Sequence, residues 1–147
     1  MISMGLGLTN DCNLSCAHCY RDQDRIHHLG LEEIQRLCDS IEIGSVGFGT
    51  GETGLNPDYF PILEFLAGRG IRMTLASNGY TLSITPDDQL RQFTDVEFSV
   101  DFPDRRRQDA FRGDGNWDTV ARGIERCQKL GIRVSMLSVL MNVNHRE

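Results

Sequence analysis

The chain has 147 residues, 39% of them hydrophobic and 24% charged, which suits one soluble globular domain with a real core. Its net charge of −6 argues against a general nucleic-acid binder, since such proteins are usually basic. No stretch is long and apolar enough to span a membrane, and residues 1–8 are too short and lack the basic start of a signal peptide, so a cytoplasmic location with reduced thiols is expected.

Strand-like and helix-like segments alternate along the sequence. Residues 3–9 read as a first strand running into a loop that carries Cys12, Cys16 and Cys19. Leu31, Ile34, Leu37, Cys38 and Ile41 recur at helical spacing and predict a first helix. Residues 45–49 read as a short, glycine-rich buried strand. Asn56-Pro57 has the form of a helix start, Asn as N-cap and Pro at the first helical position, with Pro61 a complication and Gly68 and Gly70 the stop.

Residues 71–76 form a third strand. Thr85-Pro86-Asp87-Asp88 opens a short helix through Phe93, and residues 96–101 read as a fourth strand. Asn116 is expected to cap a longer helix with Trp117, Val120, Ala121, Ile124, Cys127 and Leu130 on one face, stopped by Gly131. Residues 132–140 read as a fifth strand, alternating at Ile132, Val134 and Met136. Strands separated by helices predict βαβ units with right-handed crossovers and a parallel sheet. The pattern alone does not choose between a barrel and an open doubly wound sheet.

The cysteine run has C-x3-C-x2-C spacing. Thiolates are the usual ligands of iron–sulfur clusters. Three local thiolates would hold three irons of a cubane cluster and leave the fourth open to a substrate or cofactor. A structural zinc site needs four closed ligands, commonly as two Cys or Cys/His pairs, and no second pair is visible. Cys38 and Cys127 fall on the apolar stripes of predicted helices and read as small core residues. An odd cysteine count without a secretory signal disfavours disulfides.

The triplet, with His18 before its third cysteine, resembles the signature of the radical S-adenosylmethionine (radical SAM) enzymes, and the resemblance runs over nearly the whole chain. It implies an α/β fold, a partial (β/α) barrel of radical SAM type, open, with about five parallel strands. It implies Cys12, Cys16 and Cys19 as metal ligands of a 4Fe-4S cluster. His18 stands where the family usually has an aromatic residue beside the adenine. Phe48-Gly49-Thr50-Gly51-Glu52-Thr53 resembles the family's Gly-Gly-Glu-Pro loop, with Thr50 for the first Gly and Thr53 for the Pro. Thr50, Gly51 and Glu52 would then meet the methionine moiety, Glu52 by accepting from its ammonium group. Backbone contacts survive the change at Thr50 if its dihedral is ordinary. Ser77-Asn78-Gly79 resembles Thr-Asn-Gly, which implies Ser77 near the cofactor. Ser99 and Asp101 resemble the fourth-strand Ser-x-Asp, and as i, i+2 neighbours on a strand they would face one side. Tyr20 suits a place beside the cluster or in the core equally. Arg112-Gly113 resembles a downstream family feature with no assigned role. Arg105-Arg106-Arg107 reads as a solvated loop in preference to a site for an acidic substrate.

The implied activity is reductive cleavage of S-adenosylmethionine to a 5′-deoxyadenosyl radical that takes hydrogen from a substrate. The setting implied is peptide, protein or cofactor maturation. No catalytic residue is required beyond the cluster ligands. The cofactors are a 4Fe-4S cluster and S-adenosyl-L-methionine. Implied partners are an electron donor such as flavodoxin or ferredoxin and a peptide or small-molecule substrate, without nucleic acid or membrane. The rival class is a non-catalytic iron–sulfur or zinc-binding module. One domain, residues 1–147, is expected, an incomplete core whose last βα unit and any C-terminal auxiliary-cluster region lie outside this sequence.

Overall fold

A computed structural model describes residues 1–146. Its strands are β1 (Ile2–Leu6), β2 (Ile43–Phe48), β3 (Arg72–Ser77), β4 (Phe93–Ser99) and β5 (Arg133–Leu137). All neighbouring pairs are parallel, and the order across the sheet is β1-β2-β3-β4-β5. A doubly wound sheet reverses its order at a switch point. Here every right-handed crossover steps the same way, so the helices gather on one face, as in a (β/α) barrel. Among the described residues the sheet stays open, with β1 and β5 at its edges.

The pairing register sorts side chains into rows. Leu6, Phe48, Leu75, Val96 and Val134 lie side by side across all five strands and belong to the core or pack against it. Helices α1 (Leu31–Ser40), α2 (Tyr59–Gly68) and α6 (Asn116–Leu130) supply Ile34, Ile62, Leu63, Leu66, Val120 and Cys127 to the same core. Each fully buried large side chain contributes roughly 1.5–3 kcal/mol. The adjacent row, Gly5, Gly47, Thr74, Asp95 and Arg133, points to the other face. Its buried Asp95 is held by Arg133 at 2.6 Å and by the Ser135 hydroxyl at 3.0 Å. Small and polar residues on this face leave room above them, and the loops at the C-terminal ends of the strands fill its rim.

Several boundaries differ from expectation, each for a local reason. The second helix begins at Tyr59, after a 3-10 turn over Thr53–Leu55. Asn56 does not cap it: its Oδ1 accepts from the Asp58 N–H at 2.7 Å, and its Nδ2 donates to the carbonyls of Leu8 and Leu29. Pro61 falls in the first helical turn, where a missing N–H costs nothing because those donors have no helical partner. A short helix α3 (Tyr80–Ile84) follows Gly79, and the Thr85-Pro86 start yields only α4 (Asp87–Leu90), because Phe93 is already the first residue of β4. The arginine run is no loop. It opens α5 (Arg105–Arg112), whose N-cap Asp104 accepts from the Arg107 N–H at 3.0 Å. Arg105 pairs with Asp118, and Arg107 with Asp104. Asn116 does not cap the long helix: the N-cap is Gly115, and the Asp109 carboxylate of α5 accepts the Trp117 N–H at 2.8 Å.

Candidate functional site

Between β1 and α1 the chain makes a long excursion that carries the three cysteines. Its neck is closed by Leu29 N–H donating to Leu8 O at 2.8 Å and by an antiparallel bridge between Thr9 and His28. Asn10 fastens the neck from inside. Its Nδ2 donates to the carbonyls of Asp22 and Arg25, and its Oδ1 accepts from the His27 N–H at 2.7 Å. Arg21 ties the two ends of the cysteine turn together by donating to Asn10 O at 3.1 Å and Leu14 O at 2.5 Å. A further turn links Cys19 N–H to Cys16 O at 3.0 Å.

The loop after β2 presses directly on this excursion. Glu52 N–H donates to Asp11 O at 2.7 Å. Gly51 has φ +61°, and a β-carbon there would sit 2.6 Å from Thr9 O and closer still to Asp11 O. Only glycine allows that approach. Thr50 also lies in the left-handed region, at φ 72°, so the condition of an ordinary dihedral there is not met. A β-branched residue is strained there. Its Oγ1 sits 3.1 Å from the hydroxyl of Tyr20, whose ring is largely exposed and not in the core.

Glu52 is buried, and its carboxylate is engaged first with the protein. Oε1 accepts from Ser77 Oγ at 2.5 Å, Thr81 Oγ1 at 2.5 Å and Thr81 N–H at 2.9 Å, and Oε2 accepts from Asn78 N–H at 3.0 Å. These bonds lock the loops after β2 and β3 to each other. Each carboxylate oxygen carries two lone pairs, and Oε2, with a single protein donor, has one left. Ser77 is therefore a partner of Glu52 before it is a cofactor contact.

Ser99 and Asp101 part company. β4 ends at Ser99, so strand alternation does not carry to Asp101. Ser99 lines the cavity described below; Asp101 does not. The buried Asp101 carboxylate takes the Arg112 guanidinium at 2.7 Å and the Val139 N–H at 2.9 Å. His18 stacks on Phe111 with ring centroids 5.0 Å apart, and its Nε2 lies 3.8 Å from Asp101 Oδ2. Among the described residues its buried Nδ1 has no hydrogen-bond partner.

All these loops converge. Cys12, Cys16, His18, Cys19, Tyr20, Thr50, Gly51, Glu52, Ser77, Asn78, Ser99 and Arg112 line one cavity of about 490 Å³, bordered on the β5 side by the partly exposed Leu137 and Val139. It lies at the C-terminal ends of the strands, where barrel sites form.

Burial pushes the Cys12 and Cys16 thiols upward from their ordinary range. The Leu14 N–H and Arg21 oppose this at Cys12, and the Arg112 guanidinium opposes it at Cys16. Cys16 Sγ donates to the Arg112 carbonyl at 3.6 Å. Such thiols give up protons when they ligate iron. Among the described residues no three His, Cys, Asp or Glu side chains converge on one point suited to a single metal ion. The donor chemistry, three thiols beside an open cavity, suits a cluster, in which each thiolate would take its own iron. Cys127, fully buried, is pushed to about 11 by that burial, and Cys38 is partly buried on α1; both serve the core as expected.

Asn10, Arg21, Asn78 and Arg112 were not assigned roles from sequence. The only signals for them are an Asx residue before a tight loop and the Asn-Gly and Arg-Gly dipeptides. None of these names a partner.

A sequence model described as the radical SAM superfamily matches residues 6–147. A mycofactocin maturase, MftC, of Mycobacterium tuberculosis is 26% identical, covering 91% of this chain and 36% of that protein. A probable GTP 3′,8-cyclase of Pyrococcus horikoshii is 28% identical, covering 95% of this chain and 47% of that protein. The chain thus spans between about a third and a half of the length of these curated relatives. Among solved structures, Streptococcus suis SuiB bound to its precursor peptide SuiA superposes with a TM-score of 0.77 at 15% identity, covering 99% of this chain and 35% of SuiB. The same protein bound to S-adenosylmethionine gives 0.73, also at 15% identity, covering 99% of this chain and 34% of that one. These likenesses establish the fold.

Proposed function

We propose, from the premise that the chain belongs to the radical SAM superfamily, that it binds a 4Fe-4S cluster through Cys12, Cys16 and Cys19 and S-adenosylmethionine in the adjoining cavity. Enzymes of this superfamily use these two cofactors. Together, when bound, they supply a 5′-deoxyadenosyl radical able to take hydrogen from a substrate. One observation carries the reading: residues from the loops after β1, β2 and β3 and the end of β4 line a single cavity.

The chain's own residues divide the work. The left-handed backbone at Thr50 and Gly51 would present main-chain groups to the methionine end, and Glu52 Oε2, with one lone pair left, would accept from its ammonium group. Ser99 offers a hydroxyl on the cavity wall, and the His18 ring offers a flat face already backed by Phe111. Leu137 and Val139 give the β5 side of the cavity an apolar wall. Asp101 holds Arg112 in place on the wall and would act on the cofactor through it. The substrate proposed is a peptide or cofactor precursor, a reading supported by the likeness to SuiB, which was solved bound to its precursor peptide. A low-potential donor of the flavodoxin or ferredoxin kind would reduce the cluster.

The test is formation of 5′-deoxyadenosine by the anaerobically reconstituted, dithionite-reduced chain supplied with S-adenosylmethionine. Product is expected from the wild type and not from Cys12→Ala. A chain that binds stoichiometric zinc, assembles no cluster and forms no product would replace this reading with the metal-binding module.

A further inference from the structure

Asn78, in the turn after β3, is 6% exposed, and all its polar groups are committed. Its N–H donates to Glu52 Oε2 at 3.0 Å, and its carbonyl accepts from Asn116 Nδ2 at 2.9 Å. Its side-chain Oδ1 accepts the Tyr80 N–H at 3.0 Å. An amide whose oxygen is taken by an N–H presents its nitrogen on the other side, so the orientation is fixed by the network. That nitrogen donates to Asn13 Oδ1 at 2.9 Å and to Cys12 Sγ at 3.5 Å.

The support behind Asn78 is rigid. Asn116 Oδ1 accepts from Gln108 Nε2 at 2.8 Å, and Gln108 Oε1 accepts from the N–H groups of Asp101 and Phe102. Asn116 and Gln108 are both buried. The donor to Cys12 is therefore anchored in the framework of β3, α5 and α6, not in the cysteine loop.

Hydrogen bonds to cluster sulfurs and exclusion of solvent are among the features that set an iron–sulfur reduction potential. A donor favours the more negative, reduced state. We propose that Asn78 raises the reduction potential of the cluster through its N–H···S bond to Cys12. The proposal rests on Cys12, Cys16 and Cys19 being the cluster ligands.

The test is a potentiometric titration, followed by electron paramagnetic resonance, of the reconstituted chain and two variants. Asn78→Leu removes the donor. Asn78→Asp keeps the acceptor for Tyr80 but turns a negative oxygen toward the sulfur. Loss of one neutral hydrogen bond should change the reduction equilibrium about fivefold, or about 40 mV downward at 59 mV per tenfold for one electron. The Asp variant should fall further. Full iron content with an unmoved midpoint in both variants would overturn the role of Asn78 and leave the ligand assignment intact. A wild-type chain that assembles no cluster would overturn the assignment itself. Should the variants fail to hold a cluster, pulsed resonance on wild-type chain labelled with 15N in its asparagine side-chain amides decides. A 15N coupling is expected, and its absence would overturn the proposal.

Discussion

Gly51→Ala is the sharpest perturbation of the way this site is assembled. The added β-carbon would meet the carbonyl oxygens of Thr9 and Asp11 and lie 2.9 Å from the carbonyl carbon of Asn10, all of them backbone. None of those atoms can rotate away, so the cysteine loop itself must move. A left-handed conformation costs a non-glycine residue roughly 1–2 kcal/mol, and overpacking typically costs about 1–3 kcal/mol. Together the substitution should cost about 2–5 kcal/mol, against a total stability of roughly 5–15 kcal/mol for a domain. Gly49, two residues earlier in the same loop, has nothing within 4 Å of its virtual β-carbon, and Gly49→Ala is the built-in control. Urea denaturation of the metal-free chain should show a lowered midpoint for Gly51→Ala and a near-normal one for Gly49→Ala. Iron retained after anaerobic reconstitution should fall in the first variant alone. A wild-type midpoint and full iron in Gly51→Ala would show that the loops do not touch as described.

Replacing Cys12, Cys16 or Cys19 with Ala should abolish the four-iron cluster, while Cys38→Ala and Cys127→Ala should leave iron content unchanged; iron lost in either of the last two refutes the ligand set. Arg112→Ala strands a fully buried Asp101 carboxylate and should destabilise the chain by about 3–5 kcal/mol in chemical denaturation, and a loss under 1 kcal/mol would refute a buried pair. Thr50→Gly relieves a left-handed β-branched residue and should raise stability by up to about 1 kcal/mol; a clear fall in midpoint would mean that Thr50 is not strained. Ser99→Ala should weaken S-adenosylmethionine binding about fivefold by equilibrium dialysis, the worth of one neutral hydrogen bond, and unchanged affinity would take Ser99 out of the site.

The alternation of apolar segments was enough to read the parallel sheet, because each buried strand and amphipathic helix announces itself locally. The three candidate cysteine ligands stood out for the same reason, since their spacing is short. Boundaries failed where a side chain did an unexpected job. Asn56 and Asn116 have the residue type of caps, yet both are used across long sequence separations to hold other loops. The arginine run looked like solvated charge, and only the capping of Arg107 N–H by Asp104 reveals a helix. Asp101 seemed paired with Ser99 because the strand was read two residues too long. Its partner Arg112 lies across a helix, a distance that residue spacing does not encode. Glu52 illustrates the limit most plainly. The motif identified it, but its four protein donors come from Ser77, Asn78 and Thr81, contacts that exist only once the third strand lies beside the second.

The central claim is that three thiolates ring a cavity in which one iron of a cluster faces S-adenosylmethionine. The direct measurement is the electron paramagnetic resonance spectrum of the reduced, reconstituted chain before and after S-adenosylmethionine is added. A fourth iron open to the cavity predicts about four irons per chain and a spectrum whose g-values shift on addition, with the shift lost in a Gly51 variant that still retains iron. An identical spectrum with and without saturating S-adenosylmethionine would mean that the cofactor does not meet the cluster, and would contradict the account.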